Sequence, residues 1–129
     1  MKFMCLVYFA PNAFDGATQA ELTKLTDDTI VEDIDMRQRG QLILGQPLQG
    51  PETAVTIRGG RSGSGRTDGP FLETKEWLGG FTLIEARDME EAIALTKDSP
   101  IMKYASVEIR PTLEQTHSQT GQGRPEVKL

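Results

Sequence analysis

The stretch Lys2–Phe9, KFMCLVYF, narrows the fold more than any other part of the chain. Phe3, Cys5, Val7 and Phe9 occupy one alternation and Met4, Leu6 and Tyr8 the other, and both sets are apolar. Successive side chains of a strand leave on opposite faces, so both faces of this strand need cover. Such a strand is central in its sheet or lies at an interface.

Pro11, Asn12 and Gly16 break the chain after it. From about Ala20 to Arg39, the spacing of Leu22, Leu25, Ile30 and Ile34 predicts a helix with those residues on one face and Gly40 as its stop. QLILGQPL (Gln41 to Leu48) reads as a second strand, Gln49-Gly50-Pro51 as a turn, and TAVTIR (Thr53 to Arg58) as a third strand. The glycine-rich GGRSGSG (Gly59 to Gly65) reads as a hairpin loop, with a short strand resuming near Arg66-Thr67. LGGFTLIEA (Leu78 to Ala86) is the next strand. Asp88 and Glu91 then form a start like a capping box, with Asp in place of Ser or Thr. Met89, Ala92, Ile93 and Thr96 recur at helical spacing and stop before Pro100. ASVEIRP (Ala105 to Pro111) alternates, with Ala105, Val107 and Ile109 inward.

With the middle hairpin collapsed, the order is βαββαβ, an α+β ferredoxin-like pattern with an antiparallel sheet. Both helices then lie on one face of the sheet. The other face carries too many apolar residues to stay wet, so a second copy packing sheet to sheet is expected: a homodimer. The domain is expected to span 1–111. Beyond Pro111, TLEQTHSQTGQGRPEVKL reads as a polar C-terminal tail over 112–129, disordered on composition.

Net charge of −5 over 129 residues, with both signs dispersed, argues against a nucleic-acid partner. No apolar run approaches the roughly 20 residues of a membrane span, and the first strand does not read as a signal peptide. Cys5 is the only cysteine, which leaves no internal disulfide; the expected location is cytoplasmic. His117 is the only histidine and lies in the tail, so no metal-ligand spacing and no Ser-His-Asp or Cys-His arrangement can be read. GGRSGSGRTD has no phosphate-loop spacing. No nucleotide, flavin, haem or metal signature is present, and no cofactor is expected.

The segment with the densest chemistry is TDGPFLETKEWLGG, Thr67 to Gly80. Asp68-Gly69-Pro70 is a turn-forming combination. Phe71 is read as an anchor buried in the core. Asp68, Glu73, Lys75 and the lone Trp77 follow one another closely, and Gly79-Gly80 leaves space beside the strand. One reading is an ordered connection pinned by Phe71. The other is a pocket wall, with Asp68, Glu73, Lys75 and Trp77 binding a ligand.

The same residues resemble the DGPF branch of the YCII-related proteins. Asp68-Gly69-Pro70-Phe71 is the motif that names the branch, and ETKE followed by LGGF continues it. MKFMCLVYF, GQPL and SVEIRP also look like family positions, so the resemblance covers roughly residues 1–111. It implies a ferredoxin-like domain assembled as a dimeric α/β barrel, with a cleft between sheet and helices. It implies an association with extracytoplasmic-function sigma factors for many members, and enzymatic activity where a histidine and an aspartate pair. Here the first helix holds no histidine, and Trp77 replaces a small polar side chain. Three functions therefore stand side by side. The first is a small-molecule-binding or regulatory homodimer. The second is an enzyme with Asp68 or Glu73 as general acid/base and Lys75 as electrostatic partner. The third is a protein interaction module.

Overall fold

The computed structural model describes residues 1–60, 63, 65–72 and 74–127. Strand β1 (Lys2–Phe9) leads to helix α1 (Gln19–Gln38) and strand β2 (Leu42–Pro47). A hairpin of β3 (Val55–Arg58) and β4 (Gly65–Asp68) follows, then β5 (Trp77–Glu85), helix α2 (Met89–Thr96) and β6 (Ser106–Pro111). β1, β2, β5 and β6 form a four-stranded sheet in the order β2-β5-β1-β6, and every neighbouring pair is antiparallel. This is the ferredoxin-like α+β arrangement, with β1 between two strands, the first of the two settings its two-sided apolar pattern allows. No helix among the described residues is long and apolar enough to cross a membrane.

Local signals set the element ends. Thr18 and Glu21 form a reciprocal capping box at the start of α1. Gly40, at φ +73, ends the helix in the left-handed region, and Gln41 N–H reaches back to Met36 O at 2.8 Å. Asp88 caps α2 by accepting from Glu91 N–H at 2.9 Å, and that bond holds its carboxyl below the usual range. Glu91 in turn accepts from the backbone N–H of Arg87 at 3.1 Å. β2 has a bulge at Ile43, whose carbonyl accepts from Arg37 Nη1 at 2.6 Å.

The core lies between the helices and one face of the sheet. Phe3, Cys5, Met36, Leu42, Ile84, Ala86 and Ala92 are buried there, and Val107 and Ile109 pack against them. The opposite face pairs Met4 with Leu83, Leu6 with Phe81 and Tyr8 with Leu78, and Leu44 stands beside Leu83. No helix covers this face. Its apolar side chains remain half-buried, with Leu44 and Leu78 exposed.

Three expectations need correction. Ile30 and Ile34 do not join Leu22 and Leu25 on the buried side of α1; together with Val31 they form an exposed stripe. The five-residue step from Leu25 to Ile30 advances about 500°, which leaves Ile30 about 140° round the helix. Glu32, Asp33 and Met36 turn inward instead. The tail is not a structureless extension. His117 and Gln122 close a turn, Thr116 and Gly123 bridge across it, and Glu126 meets Lys2 at 2.6 Å. These local hydrogen bonds and the contact with Lys2 hold it, which composition alone does not reveal. Finally, Phe71 is 59% exposed. Its ring lies beneath the Arg58 guanidinium, 5.0 Å from the centroid, rather than in the core.

Candidate functional site

The Asp68–Phe71 motif closes the β3–β4 hairpin. Gly69, at φ +102, donates to Ala54 O at 2.7 Å, and its carbonyl accepts from Thr56 Oγ1 at 2.8 Å. A side chain at Gly69 would meet nothing within 4 Å, so glycine is required by the positive φ and not by space. Pro70 follows in the turn. The Asp68 side chain is exposed and lies 3.4 Å from Arg66 Nη2. Lys75 is exposed as well. Glu73 lies outside the described residues. Of the three candidate ligand-binding residues among those described, Asp68 and Lys75 are exposed and Trp77 alone enters a packed setting.

Trp77 opens β5 and belongs to a row of aromatic rings at one end of the sheet. Its centroid is 4.9 Å from that of Phe9; Phe9 is 4.9 Å from Phe14, and Phe14 is 5.3 Å from Tyr104. These separations suit favourable ring pairs. Gly79 makes the row possible: a Cβ built on it would stand 2.1 Å from Phe9 Cε2. Gly80 admits the β2 backbone, with its own Cβ position 3.1 Å from Gln46 O. The glycine pair thus does allow close approach, one by a ring and one by a neighbouring strand.

Tyr104 also borders a groove of about 290 Å³ between the first turns of α1 and the 3₁₀ turn Pro100–Lys103. Lys24, Leu25, Asp28, Ser99 and Lys103 contribute to its walls. Lys24 pairs with Asp28 at 2.6 Å, and Lys103 Nζ sits 5.7 Å from the Tyr104 ring centroid. Behind the groove, Ser99 Oγ donates to Glu32 Oε1 at 2.7 Å. Burial pushes the Glu32 carboxyl up; the Ser99 hydrogen bond opposes this, and nearby Asp33 adds to it. Burial raises Asp33 too. Both carboxyls are poised to hold a proton more readily than a surface acid. The sequence did carry a signal for them: two adjacent acids occupy the place where the apolar spacing of α1 fails.

The remaining chemistry-bearing side chains are structural. Cys5 is buried, its thiol pushed up by desolvation, and its Sγ lies 3.9 Å from Thr96 Oγ1. The His117 ring accepts backbone N–H groups of Gln119 and Thr120 through Nδ1, at 3.1 and 3.2 Å. Among the described residues no three His, Cys, Asp or Glu side chains gather as a metal-ligand set.

Residues 1–116 match the family model described as the YCII-related domain. An uncharacterised protein of Rhizobium meliloti (strain 1021) is 30% identical over 104 residues, covering 75% of this chain and 84% of its own length. Among solved structures, this chain is similar to 5-chloro-2-hydroxyhydroquinone dehydrochlorinase from Burkholderia phenoliruptrix AC1100, in complex with 2,5-dihydroxybenzoquinone. The TM-score is 0.50 with 17% identity, covering 89% of this chain and 96% of that one. At that identity the likeness is one of fold.

Proposed function

The chain belongs to the YCII-related family, and from that premise we propose that it is a homodimer that binds a small planar molecule at the aromatic end of its sheet. The observation that carries this reading is the row of Phe9, Phe14, Trp77 and Tyr104 beside the groove that Tyr104 borders. Ligand sites combine apolar, ring-bearing walls with a few fixed polar groups. Here Tyr104, at the end of the row, supplies the aromatic wall, and Ser99, Lys24 and Lys103 supply the polar points. A hydroxylated ring fits that chemistry: one face stacks on an aromatic side chain, its oxygens meet the Lys donors, and a ring hydroxyl donates to Ser99 Oγ, whose own proton goes to Glu32. The structural neighbour's complex with 2,5-dihydroxybenzoquinone supports the same ligand class. The homodimer rests on the open sheet face. A bare apolar face of this kind marks an interaction surface, and a second copy would present the same face in return. The sigma-factor association implied by the DGPF motif is the regulatory output of this reading. Co-purification with an extracytoplasmic-function sigma factor checks it.

A second reading, as an enzyme, is favoured by one observation: Glu32 is desolvated, bonded to Ser99 and adjacent to the groove. A general acid or base needs a pKa drawn toward neutrality. On this reading Glu32 takes the role that the sequence suggested for Asp68 or Glu73.

Trp77 is the only tryptophan and is linked to Tyr104 at the groove through Phe9 and Phe14. Titration with small hydroxylated rings, 2,5-dihydroxybenzoquinone first, should change its fluorescence saturably. Tyr104→Ala should weaken the response at least about tenfold, or 1.4 kcal/mol. Absence of saturation, or an unaltered affinity in the variant, would remove the reading.

A further inference from the structure

Strand β3 carries an inverted pattern. Thr56 is buried, while Val55 and Ile57 on either side of it point outward, Ile57 with 84% exposure. A strand normally turns its apolar alternation inward, and a slip of one residue would do so here. The register is nevertheless fixed: Val55 pairs with Asp68 and Ile57 with Arg66, and Thr56 is tied to Gly69. The hairpin joins no strand of the main sheet, and an isolated two-stranded hairpin is marginal in water. Phe71 and Leu72, on the return from it, are exposed as well. One short arm thus bears four large apolar side chains that its own protomer leaves bare.

We propose that the β3–β4 hairpin and its Asp68–Leu72 return form an arm that packs on a second copy of this chain, extending the dimer interface beyond the open sheet face. The inference rests on the homodimer reading and deepens it. Position supports it. The arm connects β2 to β5, adjacent strands that carry Leu44, Leu78, Phe81 and Leu83 of the open face, so it leaves and rejoins the sheet at the end of that face. Size supports it too. A stable interface enlists roughly 20–30 residues a side. The four strands turn about half of their residues, on the order of 15, to the open face. The arm supplies the kind of residues the face lacks in number. In a two-fold pair each arm is reciprocated, so the bare apolar groups of both arms are covered. The motif residues thereby gain a role: Gly69 and Thr56 lock the register that presents Ile57, and Arg58 holds Phe71 outward for the partner.

Two measurements test the arm. In a dimer mixed from isotope-labelled and unlabelled protomers, the methyls of Ile57 and Leu72 and the ring of Phe71 should show intermolecular NOEs to the sheet face of the partner. Ile57→Asp should raise the dimer dissociation constant at least tenfold while circular dichroism stays that of the folded protomer, because Ile57 packs on nothing within it. Ile30→Asp, on the exposed α1 stripe, should leave that constant unchanged. A wild-type dimer without those NOEs, and with an unchanged constant in Ile57→Asp, overturns the arm and leaves the homodimer standing. A wild-type protein that sediments as a monomer at micromolar concentration overturns both.

Discussion

Gly79→Ala tests the packing of the aromatic end through the sign of its effect. Gly79 has no positive φ, so alanine can adopt its backbone conformation. At such a position Gly→Ala usually stabilises by about 0.4–1 kcal/mol, because the unfolded chain loses freedom. The structure reverses that expectation. The added methyl would stand 2.1 Å from Phe9 Cε2, 2.3 Å from Phe9 Cδ2 and 3.3 Å from Trp77 Cζ3. The Phe9 ring cannot simply swing away, since Phe14 and Trp77 both lie 4.9 Å from its centroid and the residue is buried. Overpacking of this kind costs about 1–3 kcal/mol, and the displaced ring pairs add to it. The net expectation is a loss of about 1–2 kcal/mol, read from urea midpoints at one fixed protomer concentration so that assembly does not shift the result. Trp77 emission should move in the folded state as well. Phe9→Leu in the same chain removes the clashing ring edge. The double variant should then be less destabilised than the sum of the singles by about 1 kcal/mol. A stabilised Gly79→Ala, with unchanged Trp77 emission, would refute the packing.

Three further outcomes follow from the local chemistry. Thr18→Ala removes the capping-box acceptor for Glu21 N–H and should cost about 1 kcal/mol in chemical denaturation, with Thr18→Ser recovering most of it. Asp88 has a folded pKa below its unfolded value, so its contribution is present above the ordinary carboxylate pKa and lost as pH falls through the depressed one; Asp88→Asn should flatten the acid limb of the stability curve. Glu32 and Asp33 have the opposite sign. Their protonation favours the folded state, so a stabilisation present at low pH is lost as pH rises through the raised values. Asp33→Asn should increase stability at pH 7 and diminish that loss.

Particular residues show what the sequence could convey. The two-sided apolar pattern of Lys2–Phe9 narrowed β1 to a central or an interface strand, and Gly40 and Asp88 marked helix ends because caps are local chemistry. The inward face of α1 was not legible: Ile30 and Ile34 are apolar, yet Glu32 and Asp33 occupy the buried side, a choice made by tertiary packing and not by hydropathy. Phe71 was misread for a related reason. An aromatic residue in a polar stretch suggests an anchor, but the β3 register and Arg58 hold it outward. The aromatic row was invisible because Trp77 and Tyr104 are distant in sequence from Phe9 and Phe14 and meet them only through the tertiary fold.

The central claim, a small planar ligand at the aromatic end of the sheet, is tested most directly by two-dimensional amide NMR during titration with 2,5-dihydroxybenzoquinone and related hydroxylated rings. The account predicts saturable shifts concentrated on Phe9, Phe14, Ser99, Tyr104 and the Trp77 indole N–H, with the tail hairpin around His117 unmoved. Shifts gathered instead on the tail, or spread without saturation across the surface, would contradict it.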